Sequence, residues 1–189
     1  GYNEVEEWEQ SGHARVFVDP FFSSFYRGTN VDGRATTATE NYGPGFKLNY
    51  PDQAGDCAYC HAPAAIRPSL EPTDLTTYYP RSAGVNGEGV TCDVCHKVSK
   101  ILLNDDKYPS ADKPGIGSFE FWRVSNSFVL GPFSNIILPA NDESQRHATS
   151  SCSPVLSSSE LCAACHYRKF NDIPIYTSND EWTESKFDQ

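Results

Sequence analysis

Three copies of Cys-x-x-Cys-His constrain this chain more than anything else in it: Cys57-Ala58-Tyr59-Cys60-His61, Cys92-Asp93-Val94-Cys95-His96 and Cys162-Ala163-Ala164-Cys165-His166. This is the spacing of covalent haem c attachment. The two thiols add to the vinyl groups along one edge of a porphyrin, and the next residue delivers an imidazole to the iron. Six of the seven cysteines and three of the five histidines are used in this way. The expected cofactors are three covalent haem c groups, held by Cys57, Cys60, Cys92, Cys95, Cys162 and Cys165, with His61, His96 and His166 as proximal iron ligands. Zinc is the competing reading, because two Cys-x-x-Cys pairs build a four-cysteine site. Three pairs leave one over, and zinc gives no reason for His to follow every second Cys. A redox disulfide suits one copy and not three.

A chain of 189 residues with thirteen glycines, thirteen prolines and 38% hydrophobic residues has a thin protein core. Three porphyrins change that balance, since each is a large apolar body to pack against. The expected fold is mainly irregular, with short α-helices and one small β-hairpin, organised around the haems. It is read as a single trihaem domain over residues 1–189. Without haem, too little area would be buried to offset chain entropy. The net charge of −10 argues against nucleic acid or anionic lipid as partner. No stretch has the length of a membrane span. Covalent haem attachment is normally done outside the cytoplasmic membrane, so the sequence is read as an exported, mature form, periplasmic or extracellular.

Along the chain, Asn3 and Glu6 have capping-box spacing and Glu4, Glu6 and Glu7 load a first helical turn. His13, Val16 and Phe17 then share a helical face, and Asp19-Pro20 is read as its stop. Residues 20 to 56 read as loop. Pro63, Pro68, Pro72 and Pro80 exclude long helices between the first two motifs. Phe119-Glu120-Phe121 and Phe128-Val129-Leu130 are strand candidates, with Asn126-Ser127 as a turn between them. They make either a short hairpin or simply a haem wall. Ser157 and Glu160 form a capping box ahead of the third motif, which should open a helix. Glu7-Trp8-Glu9-Gln10-Ser11 recurs as Glu181-Trp182-Thr183-Glu184-Ser185, with Thr177 or Ser178 as the cap of the second copy.

The Trp8-x-x-Ser11-x-His13-Ala14 helix, the run Gly89-Val90-Thr91-Cys92-Asp93-Val94-Cys95-His96, the run Leu161-Cys162-Ala163-Ala164-Cys165-His166, and the tail from Tyr176-Thr177 through Glu181-Trp182 to Ser185 resemble the multihaem c-type cytochromes. That family includes nitrifier-type tetrahaem carriers and extracellular cytochromes that form filaments. The resemblance covers the motifs and their flanks. It implies electron transfer through closely packed haems, in the periplasm or outside the cell. It also implies that a tail of this kind leads into a further haem motif in longer relatives.

Each six-coordinate iron needs a second axial ligand. The chain has no methionine, so His/Met ligation is excluded and low potentials are expected. His13, in its familial Ser-x-His-Ala setting, and His147, ahead of the Ser-rich loop before the third motif, are the candidate distal ligands. Five histidines cannot fill six positions, and exchange between identical subunits does not help, because each recipient is also a donor. One haem is therefore open, water-ligated or bound by another group. Cys152, the one cysteine outside the motifs, is a candidate, read equally as an axial thiolate, an intermolecular disulfide or an inert residue. The Gly1 amine and the lysines are further candidates. The leading expectation is an electron carrier and not an enzyme, assembling head-to-tail into a ring or filament and meeting redox proteins or extracellular acceptors. The alternatives are a monomer and, for function, a small reductase whose open haem acts on a nitrogen or oxygen species.

Overall fold

The computed structural model describes residues 2–28, 45–78, 88–104, 108, 114–122, 128–133, 149–170 and 173–187. The chain divides into two compact units, Gly1–Thr91 and Cys92–Gln189, the boundary falling directly ahead of the second motif. Among the described residues no helix is long and apolar enough to cross a membrane.

The first unit is helical in short pieces. It begins with α1 (Tyr2–Gln10), α2 (Gly12–Arg15) and α3 (Pro20–Arg27). Asn3 lies inside α1, so the expected Asn3–Glu6 capping box does not form. Ser11 breaks the helix and restarts it: its hydroxyl donates to the Trp8 carbonyl at 2.7 Å and accepts from the Ala14 N–H at 3.2 Å. The restart changes the register. Ala14 and Phe17 become buried while His13 stays exposed, and the expected common face of His13, Val16 and Phe17 is lost.

Asp19-Pro20, expected as a stop, begins an element, since α2 has already ended at Arg15. The Asp19 carboxylate accepts from the Phe22 N–H at 2.9 Å, and Pro20 occupies the first turn of α3, where its missing N–H costs nothing. Phe22 and Tyr26, one turn apart on α3, are both buried. Part of residues 20 to 56, expected as loop, is therefore helix, here and at α4 (Phe46–Asn49).

Tyr26 pins the segment leading to the first motif. Its hydroxyl donates to the Ala54 carbonyl at 3.0 Å and accepts from the Leu75 N–H at 3.0 Å. Lys47 Nζ donates to the carbonyls of Pro51 and Gln53 and to Asp74, at 2.6, 2.9 and 2.6 Å. Two one-turn helices follow, α5 (Ala58–His61) and α6 (Pro63–Ile66), then a 3-10 turn at Leu75–Tyr78. Among the described residues of this stretch no helix is longer than one turn, in keeping with Pro63, Pro68 and Pro72.

The N-terminal helices are clasped to residues 89–90. Trp8 Nε1 donates to the Val90 carbonyl at 2.7 Å, and Val90 N–H donates to the His13 carbonyl at 2.8 Å. A Cβ on Gly89 would overlap that same carbonyl oxygen, so the close approach needs glycine there.

The second unit mixes helix and strand: α7 (Cys92–Cys95), β1 (Val98–Ile101), β2 (Phe119–Phe121), β3 (Phe128–Gly131), β4 (Thr149–Cys152), α8 (Glu160–His166), β5 (Arg168–Phe170), β6 (Ile173–Tyr176) and α9 (Ser178–Thr183). Both strand candidates form, but they do not form a hairpin with each other. β2 pairs antiparallel with β1, Ile101 opposite Phe119, and β3 pairs parallel with β4, Leu130 opposite Ser151. Asn126 and Ser127 lie outside the described residues. β5 and β6 pair antiparallel directly after the third motif.

Val98, Ile101, Ile116, Phe119 and Leu130 make the apolar centre of this unit. Buried Ser153 ties it together, its N–H donating to the Gly131 carbonyl and its hydroxyl to the Val98 carbonyl, at 2.8 and 3.1 Å. The helix expected at the third motif is present as α8. The expected Ser157–Glu160 box does not form: Ser159 is the cap residue, without a side-chain cap bond, and just ahead of it the Ser158 hydroxyl accepts from the Glu160 N–H at 3.1 Å and donates to the Glu160 carboxylate at 2.9 Å. Thr177 is the cap residue of α9, its hydroxyl donating to Glu181 at 2.8 Å. The two Glu-Trp-x-x-Ser copies close the same turn, each Ser N–H donating to its Trp carbonyl at 2.9 Å. They part in their tryptophans: Trp8 is clasped, and Trp182 is 45% exposed.

Candidate haem-binding sites

Each Cys-x-x-Cys-His segment is wound into a helical turn. His61 N–H donates to the Cys57 carbonyl at 3.0 Å and His96 N–H to the Cys92 carbonyl at 2.9 Å, while the third motif lies within α8. The turn divides each motif into two faces. Of the six residues between the cysteines, Ala58, Tyr59, Val94, Ala163 and Ala164 are buried, and Asp93 of the second motif is exposed. The cysteines are exposed or half-exposed, and no disulfide joins any of the seven. His96 and His166 are exposed and His61 is half-buried. The first and third motifs are thus anchored by both residues between their cysteines and the second by Val94 alone, and each offers two thiols and an imidazole on the outer side. That donor set fits a covalently attached haem. Among the described residues no group of three His, Cys, Asp or Glu side chains is placed to hold a metal ion by itself.

Two of the three imidazoles are already oriented. His61 Nδ1 lies 3.4 Å from the Val16 carbonyl, and His96 Nδ1 lies 2.6 Å from the Leu130 carbonyl. A carbonyl only accepts, so in both residues Nδ1 carries the proton and Nε2 presents its lone pair. Fixing the tautomer through the other ring nitrogen is how proteins prepare a histidine for a metal. Burial holds the His61 imidazole below its ordinary pKa, against the Val16 carbonyl and the Asp19 charge, which push the other way. His61 is thereby kept in the neutral, ligating form. The His166 ring lies edge-on to Tyr176, centroids 6.3 Å apart, so β6 borders the third site.

The second and third motifs lie close together within their unit. Burial raises the Cys95 thiol pKa, and the charges of Cys162 and Cys92 add to the rise. α8, which carries the third motif, packs on β1, which follows the second.

The sequence-expected extra ligands fare differently. His13 is exposed on α2, its carbonyl taken by Val90. His147 lies outside the described residues. Cys152 is exposed at the end of β4, its thiol donating to the Pro132 carbonyl at 3.5 Å. The groups that sequence reasoning missed are the Val16 and Leu130 carbonyls and the ring of Phe22, which stacks on His61 with centroids 3.8 Å apart and planes 7° apart. No side-chain pattern announces a backbone carbonyl. The Asp19-Pro20 pair, read as a helix start, would have found α3 and with it Phe22.

No family model matches the sequence, and no curated protein matches it. Among solved structures the chain is similar to a penta-haem cytochrome c552 from Thermochromatium tepidum, with a TM-score of 0.54 and 19% sequence identity. The match covers 96% of this chain and 48% of that one, so the chain spans about half the length of that cytochrome. At this identity the likeness speaks for the fold: mixed short helices and small strand pairs, arranged as in a multihaem c-type cytochrome.

Proposed function

We propose that this chain is an exported electron-transfer protein carrying three covalent haem c groups, one on each motif. The observation that carries this reading is the winding of each motif into a turn that buries at least one residue between the cysteines and leaves two thiols and an imidazole at least partly exposed, with Nε2 left available on His61 and His96. Haem supplies the one-electron chemistry, and the chain supplies spacing, burial and orientation of the axial imidazoles. Close placement of the second and third motifs suits transfer between their haems. Intact-mass measurement and peptide mapping of protein made in a host that matures c-type cytochromes should find three haems, on Cys57/Cys60, Cys92/Cys95 and Cys162/Cys165. Fewer would break the reading.

His13 and His147 are the proposed distal ligands, with Cys152 a candidate for the position that five histidines leave unfilled. That same shortage favours the second reading, a reductase with one open haem. A high-spin component that binds cyanide or nitrite would select it, and an entirely low-spin spectrum would select the carrier. Head-to-tail assembly, as a ring or a filament, remains part of the proposal, supported by the exposed Trp182 of the second Glu-Trp-x-x-Ser copy. A protein that stays monomeric at high concentration in light scattering would end it.

A further inference from the structure

The imidazole of His61 is gripped from two directions by one short stretch of chain. The Val16 carbonyl faces its Nδ1, and six residues later the ring of Phe22 covers its face, nearly parallel at 3.8 Å. Phe22 has little freedom to move. Its N–H is fixed to Asp19 at 2.9 Å, and its ring stacks on Tyr26 at 5.9 Å and 25°. Tyr26 is held in turn by Ala54, Leu75 and a stack on Phe46 at 5.9 Å and 19°. Face-to-face packing of two electron-rich rings is the less favoured geometry. It becomes favourable when one ring is electron-poor, as an imidazole is when a metal withdraws density through Nε2.

We propose that Phe22 is a positioning residue for the proximal ligand of the first haem: its ring and the Val16 carbonyl together fix the plane in which His61 presents Nε2. The carbonyl alone leaves the imidazole free to swing about its Nδ1 contact, which at 3.4 Å is loose. The phenyl ring removes that freedom. Imidazole orientation sets the overlap between the ligand and the iron orbitals, so it is read in the low-spin spectrum and in the potential of that haem.

This inference rests on the haem reading of the first motif, and the test separates the two. The probe is the holoprotein with Phe22→Leu, which keeps an apolar side chain and removes the ring, beside Phe22→Tyr, which keeps the ring. Peptide mapping first counts haem on Cys57/Cys60. Absence in the wild type overturns the haem reading of that motif and the inference with it. With haem present, Phe22→Leu is expected to move the low-temperature electron-paramagnetic-resonance g-values and the midpoint potential of one haem out of three, and Phe22→Tyr to leave both at wild-type values. Spectra and potentials of Phe22→Leu that superimpose on the wild type overturn it. Where Phe22→Leu fails to fold, the wild type decides: a nuclear Overhauser contact between the Phe22 ring and the His61 ring protons is expected, and its absence overturns the proposal.

Discussion

His61 in the first unit and His96 in the second belong to the same five-residue motif, yet they are held in opposite ways. His61 is half-buried under an aromatic ring, and its Nδ1 contact is long, 3.4 Å to a carbonyl between two helices. His96 is exposed, its Nδ1 contact is short, 2.6 Å to a carbonyl on β3, and Leu130 N–H donates back to the His96 carbonyl at 2.8 Å. The helical unit therefore fixes its imidazole by packing, and the stranded unit by hydrogen bonding. A strong bond from Nδ1–H makes the imidazole a better donor to iron and stabilises the ferric state. Burial disfavours the extra positive charge of that state. Both effects point the same way: the first haem should have the higher potential and the second the lower.

The largest expected effect tests whether the motifs are separable. Replacing both Cys57 and Cys60 by Ala should remove one haem by intact mass and loosen the first unit to limited proteolysis while the second stays resistant. The same change at Cys92 and Cys95 should weaken the second unit around the third motif as well, because Cys95 and Cys162 are neighbours. Redox titration of these two variants gives the next test. The Cys57/Cys60 variant should lack the higher of the two potentials assigned to His61 and His96, and equal potentials would erase the contrast.

A smaller effect is expected from Tyr26→Phe, which leaves the buried Leu75 N–H without its acceptor. A loss of about 1–3 kcal/mol in denaturant unfolding, confined to the first unit, is the scale for such a group. The smallest concerns acid. Burial alone would raise the Asp74 pKa, but Lys47 and Thr76 outweigh it and hold the carboxyl below its ordinary value. A depressed carboxyl contributes stability above its unfolded pKa and loses it as pH falls through the folded one. The first unit should therefore lose about 0.5 kcal/mol below the usual carboxylate range, the scale of a part-exposed ion pair. Asp74→Asn should flatten that part of the pH profile.

What was legible in the sequence follows from what kind of physics set it. The motifs were legible because bond-forming chemistry fixes their spacing, and a helix was expected only at the third, where α8 forms; the turns at the first two were not. Phe119–Phe121 and Phe128–Gly131 were legible as strands from local pattern. Their partners, Val98–Ile101 and Thr149–Cys152, were not, because pairing across tens of residues leaves no local mark. At Asp19-Pro20 the signal was present and read as a stop, where it caps and starts the next helix, and Ser11 was read for the repeat and not as the cap it is. The carbonyls of Val16 and Leu130 could not have been named at all, because every residue carries one and only the fold chooses.

The bond from Trp8 to Val90 spans 82 positions of sequence, and the first motif lies inside the loop it closes. Bringing such distant ends together costs about 4 kcal/mol of loop entropy, and contacts of that range are made late in folding. Time then enters as a constraint. Without haem too little area is buried to offset so costly a closure, so modification of Cys57 and Cys60 is expected to come first and the clasp to follow. The indole N–H of Trp8, slow to exchange only once Val90 accepts it, is the clock for that last event.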